Sequence, residues 1–150
     1  MSLSPKFRVP WPAFGLGDYE GGLRKARKDK TLNHFTAPCG GEIYRGDKLP
    51  SLRGDLFFGE PVGRLVRRAT VEVTDGLTTL RNAHPGSEFL RSTDACFRPV
   101  DMKTAPDGTL FIWDAYRGII QEANWTREGS YLRKVILQHG LEKIIQRGRI

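Results

Sequence analysis

Two stretches of the chain repeat one another, and that repeat narrows the folds open to it more than any other feature. Arg53-Gly54-Asp55-Leu56-Phe57-Phe58-Gly59-Glu60 is a small turn, an aliphatic-aromatic pair, then an acid four residues after the leucine. Pro106-Asp107-Gly108-Thr109-Leu110-Phe111-Ile112-Trp113-Asp114 repeats that order. A glycine and a short apolar run follow each copy, Gly63-Arg64-Leu65-Val66 and Gly118-Ile119-Ile120. Leu56 and Leu110 stand 54 positions apart. A period near ~50 built from short strands is the spacing of a β-propeller blade with loop insertions.

The flanking sequence agrees with a β-rich fold. A turn feeding a short strand is expected over 37–44, strands over 55–60 and 63–68, and a turn and a strand over each of 106–114 and 116–122. A threonine-rich, β-branched segment surrounds the Asp75-Gly76 turn. Short strands joined by glycine-bearing turns make an antiparallel meander. We therefore expect an all-β fold, a β-propeller fragment, with residues 37–150 forming about two blades, the last incomplete. Residues 1–36 read as an irregular, Pro/Gly-rich and basic lead segment. Leu132, Val135, Ile136, Leu141, Ile144 and Ile145 recur at helical spacing, so a helical insertion is expected near 130–145. The final Gln146-Arg147-Gly148-Arg149-Ile150 alternates like a strand just starting, which suggests a chain cut short.

Composition limits the function classes. Hydrophobic residues are 39% of 150, a globular value once the 17 glycines are added. No apolar run approaches the ~18 residues of a membrane span. The N-terminus lacks the apolar core of a signal peptide. Cys39 and Cys96 are too few for a thiolate metal cluster; one disulfide and two separate thiols both remain open. The formal charge is +7, densest over Arg24–Lys30. That surplus permits contact with an anionic partner, but no aromatic residues interleave with it, so nucleic acid is disfavoured. The sequence has no phosphate loop, nucleophile elbow, Cys-x-x-Cys-His or histidine triad.

Gly40-Gly41-Glu42-Ile43-Tyr44-Arg45-Gly46-Asp47, Leu49-Pro50 and Arg53 to Pro61 together resemble a blade of the soluble quinoprotein glucose/sorbosone dehydrogenase-like propellers. The closer resemblance is to their membrane-bound-dehydrogenase-like subgroup of secreted bacterial proteins. Glu88 to Asp101 and Pro106 to Arg117 resemble the blade that follows, and Gly148-Arg149-Ile150 the start of the closing strand. The likeness covers about residues 37–123. Cys96, Asp101 and the segment after Trp125 depart from the family pattern.

This resemblance implies the last blades of a six-bladed sugar or alcohol dehydrogenase that oxidises a sugar hydroxyl. It implies a periplasmic or extracellular setting and an electron acceptor such as a cytochrome c module. Pyrroloquinoline quinone and calcium are the cofactors it allows. Arg98, Asp101, Asp114, Tyr116 and Arg117 fall near strand ends and become candidate cofactor-binding residues, because guanidinium groups pair bidentately with carboxylates. His84 becomes the candidate catalytic base. Glu60 and Asp114 have two readings, a cofactor or calcium role and a structural role. In the second, each accepts backbone amides of the next turn or pairs with Arg64 or Arg117. The alternative to an enzyme is a non-catalytic propeller module binding a glycan or protein partner. Either way, the remaining blades or an oligomeric partner must cover the sheet faces around Phe57, Phe58, Phe111 and Trp113.

Overall fold

The computed structural model describes Leu32 and residues 35–92, 94–120 and 123–150. The basic run and most of the lead segment lie outside the described residues. The chain builds two antiparallel sheets and one helical insertion. The first sheet contains β1 (Cys39–Ile43), β2 (Leu56–Glu60), β3 (Leu65–Thr74), β4 (Leu77–Asn82) and β5 (Leu90–Arg91). Their order is β1-β2-β3-β4, with β5 also on β3. β4 pairs with the second half of β3, Ala69 to Thr74, and β5 with its start, Leu65 and Val66. They therefore form one outer strand interrupted by the loop 83–89. The second sheet is a hairpin of β6 (Pro99–Thr104) and β7 (Leu110–Asp114).

The two sheets stack through β1 and β2 against β6. Between them lies a core of Tyr44, Leu52, Phe57, Val66 and Met102, bordered by Phe89, Leu90, Leu110 and Ile112. Phe57 and Gly59 face this core because strand side chains alternate. Gly59 is required there: a Cβ would collide with the Pro99 carbonyl oxygen. Polar stitches reinforce the stack. Glu42 accepts from the Thr104 amide at 3.0 Å and from its hydroxyl at 2.7 Å. The Tyr44 hydroxyl donates to the Gly108 carbonyl.

On the other side of the first sheet, Phe58 meets Phe35 edge-on at 5.5 Å. Arg67, paired with the buried Glu88, lies 4.4 Å over the Phe35 ring. Phe57 is thus core and Phe58 is covered. On the outer face of the second sheet Phe111 stays 39% exposed beside Trp113.

The expected helical insertion is present as α1 (Tyr131–His139). Ser130 caps it by accepting from the Arg133 amide, and Gly140 ends it in the left-handed region. One turn of 3-10 helix, Leu141–Lys143, follows. The expected strand over 116–122 is not formed among its described residues. Arg149, beyond the insertion, bridges Asp114 of β7 instead. The reason is local. The Gly118 amide is taken by the Ile144 carbonyl at 3.2 Å, and the Arg117 and Gly118 carbonyls are taken by Arg98. Those three groups are therefore not available to a strand ladder. Both cysteines are free thiols, so the disulfide alternative falls away.

Candidate functional site

The repeat seen in the sequence is also a repeat of hydrogen bonds. Pro38 and Pro99 stand at or just before the starts of β1 and β6. A residue before proline is extended, and its amide falls outside the sheet ladder. Buried amides need acceptors. The Ala37 amide finds Glu60 at the end of β2, at 3.1 Å. The Arg98 amide finds Asp114 at the end of β7, at 2.7 Å. The two acids that end the repeated motif therefore close the two sheets in the same way. Both are nearly inaccessible.

Around Asp114 this closure grows into a charged cluster on the rim where the insertion leaves and returns. Asp114 also accepts from the Tyr116 amide at 2.8 Å and from Arg149 at 3.0 Å. It thus receives a next-turn amide as expected, but the arginine is Arg149 rather than Arg117. The Arg149 guanidinium lies 4.1 Å over the Tyr116 ring. The Tyr116 hydroxyl bonds Asp94, which pushes its pKa up. Asp94 in turn accepts the Cys96 amide at 2.8 Å.

Arg98 crosses between the sheets. Its guanidinium donates to the Pro61 carbonyl of the first sheet's turn at 2.8 Å, and to the Arg117 and Gly118 carbonyls at 3.0 Å. It is 1% exposed. Burial first, then the neighbouring Arg64 cation, press its pKa down to about 10, so it stays charged at neutral pH. Three carbonyl dipoles offset the cost of burying that charge. Burial likewise raises the Cys96 thiol, with Asp94 adding to it. A raised thiol is a poor nucleophile, and Cys96 serves instead as packing against Leu132, Ile136 and Leu141 of the insertion.

Of the residues singled out in the sequence, Arg98, Asp114 and Tyr116 come together here. Arg117 joins through its carbonyl and is also among the residues that line a neighbouring cleft. Asp101 sits on β6 opposite Trp113, beside Lys103 at 3.8 Å, apart from the cluster. His84 lies in the β4–β5 loop, its ring 5.9 Å from Phe89 and within the field of Arg68, Glu88 and Asp55. None of these neighbours is a member of the Asp114 cluster, so the structure does not bring His84 together with Arg98, Asp114 and Tyr116. Asp94 and Arg149 are cluster members that the sequence reading did not single out. The Ser92-x-Asp94 spacing, in which Ser92 Oγ accepts the Asp94 amide, was the available signal. Among the described residues no three His, Cys, Asp or Glu side chains gather as a metal set. The cluster's donors and acceptors are largely spent on one another, which suits it to holding sheets and insertion in register.

Two clefts border the insertion. One, of about 480 Å³, is lined by Arg117, Ile119, Ile120, Leu141, Glu142, Ile144 and Ile145. The other, of about 450 Å³, lies between Thr126, Glu128, Gly129, Arg133, Lys134 and Leu137.

Comparison with known proteins changes the functional reading. Adipocyte plasma membrane-associated protein of Bos taurus is 36% identical over 80 residues, 53% of this chain and 19% of that protein. Its Homo sapiens counterpart is 33% identical over 80 residues, 53% of this chain and 18% of that protein. The chain spans about a fifth of the length of these curated relatives. No solved structure matches. These relatives are not quinoprotein glucose/sorbosone dehydrogenase-like propellers, so the resemblance drawn from the motifs is corrected. The sugar or alcohol dehydrogenase function falls with it. So does the secreted, periplasmic or extracellular placement, since the matched proteins are named for a plasma membrane. Pyrroloquinoline quinone and calcium rested on that resemblance alone. The physical reason for the misreading is that Pro-Asp-Gly before an alternating strand encodes backbone geometry, and unrelated chemistries share such geometry. A family model matches residues 12–150, and the chain belongs to that family, described as a domain of unknown function, DUF7133.

Proposed function

We propose that residues 37–150 are two adjacent blades of a β-propeller that works at a membrane surface, where its rim insertion docks peripherally on anionic lipid. The stacked sheets, the 54-residue repeat and the twice-used acid closure support the propeller reading. The half-covered Phe111–Trp113 face is then where a further blade packs.

The observation that carries the membrane reading is the outward surface of the insertion. Trp125, Leu137 and Ile145 are each about half exposed there. Residues 115–150 hold seven Lys and Arg against three Glu, a surplus of four out of the chain's seven. Basic side chains around exposed apolar and indole groups suit a surface with anionic headgroups above an acyl boundary. Each such cation contributes about 1 kcal/mol near that surface. Among the described residues no helix is long and apolar enough to cross a membrane. The names of the matched relatives point the same way.

The test is co-sedimentation with vesicles containing about one third phosphatidylserine. The chain is expected to pellet with them at low salt, to be released at high salt, and to ignore pure phosphatidylcholine. Lys134→Glu combined with Lys143→Glu and Arg147→Glu is expected to abolish pelleting. Failure of the unaltered chain to pellet at low salt refutes the reading.

A further inference from the structure

We infer that the cleft between residues 117–120 and 141–145 is a binding site for a single-chain alkyl carboxylate. Its walls are Ile119, Ile120, Leu141, Ile144 and Ile145, and its volume of about 480 Å³ is within the range of small-molecule sites. Two ionic groups lie in this apolar lining. Glu142 is engaged by Arg133 at 3.6 Å. Arg117 is the other, and among the described residues no carboxylate pairs with its side chain. The cleft therefore offers apolar walls and one cation, which is complementary to an alkyl chain ending in a carboxylate. A guanidinium receives a carboxylate through two parallel hydrogen bonds. Each methylene buried against these walls adds to the affinity.

The cleft is also pre-formed. The Gly118 amide is bonded to the Ile144 carbonyl, and Gly118 lies so close to Leu141 that a Cβ would strike the Leu141 carbonyl. Arg98 holds the carbonyls of Arg117 and Gly118 from behind. The backbone carrying Arg117 is thus fixed before any ligand arrives, which lowers the entropic cost of binding.

The inference does not rest on membrane docking, and its test is made without vesicles. Dodecanoate, kept below its micelle concentration, is titrated into the chain by calorimetry, with dodecanol as the uncharged control. Dodecanoate is expected to bind with a dissociation constant on the order of 10 μM. Arg117→Gln is expected to weaken dodecanoate about tenfold or more while leaving dodecanol binding unchanged. Glu142→Gln is expected to retain or improve dodecanoate binding. The Lys134, Lys143 and Arg147 reversals that abolish vesicle binding are expected to leave it intact. Absence of dodecanoate binding overturns the inference. So does an Arg117→Gln chain that is folded by circular dichroism and binds dodecanoate as tightly as the unaltered chain.

Discussion

Glu60 and Asp114 occupy the same place in the two sheets and do the same first job, yet they have been put to different further use. Glu60 closes a sheet whose next strand, β3, follows at once after a four-residue turn. Asp114 closes a sheet whose next pairing partner, Arg149, arrives only after the helical insertion. The shorter carboxylate therefore also takes the Tyr116 amide as the chain leaves and the Arg149 side chain as it returns. An insertion was accommodated by loading new donors onto an acceptor already buried for another reason. Arg98 completes the arrangement by tying the turn of the first sheet to the exit segment of the second.

Three experiments sharpen or break this contrast. The largest effect is expected from Arg98→Ala, which strips three carbonyls of their donor and leaves a void where its buried side chain lay. A loss of about 3–5 kcal/mol is expected, read as a fall in the thermal midpoint of roughly 10 °C. A loss below about 1 kcal/mol would show that the two sheets are held together elsewhere. Next come the paired isosteres. Asp114→Asn is expected to cost about 2–3 kcal/mol by urea denaturation, because Asp114 serves two amides and a guanidinium. Glu60→Gln, at the matching position of the first sheet, is expected to destabilise as well, since it weakens the acceptor of the Ala37 amide. A loss below about 0.5 kcal/mol for Asp114→Asn would mean the insertion is not held through Asp114.

The smallest effect lies away from the rim. Burial, reinforced by Arg68, holds His84 below the ordinary imidazole value of 6.5. The unfolded chain then takes up that proton at a higher pH than the folded one. Stability should fall as pH drops through 6.5 toward the lowered folded value, and rise again as pH returns to neutrality. His84→Gln is expected to flatten that part of the profile, measured as thermal midpoint against pH between about 5.5 and about 7.5. An unchanged slope would assign the dependence to other groups.

Much of the fold was legible because local chemistry declares it. Asp75-Gly76 and Asp107-Gly108 mark turns, the Leu-x-x-x-acid motif marks two strands, and Leu132, Val135 and Ile136 mark the buried face of α1. β6 was not legible. A bulge between Pro99 and Asp101 shifts its phase, so Val100 faces out while Met102 is fully buried. Gly118-Ile119-Ile120 looked like a strand because local sequence does not reveal that Arg98 and Ile144 claim its backbone groups. The rim cluster was half legible for the same reason. Arg98 and Asp114 stand out near strand ends, but Asp94 and Arg149 reach them from opposite sides of the insertion.

The interrupted outer strand of the first sheet has a consequence for how the molecule behaves in company. A continuous edge would offer a passing extended peptide an unbroken row of amides and carbonyls to pair with. Here the row stops at Asn82 and resumes only at Leu90, with Pro85 and Gly86 in the gap. Val73, Leu77 and Leu80 stand exposed at the far tip of this sheet. A neighbouring chain that zips onto that tip runs out of register partners within a few residues. The break turns a surface that invites fibril growth into one that terminates it.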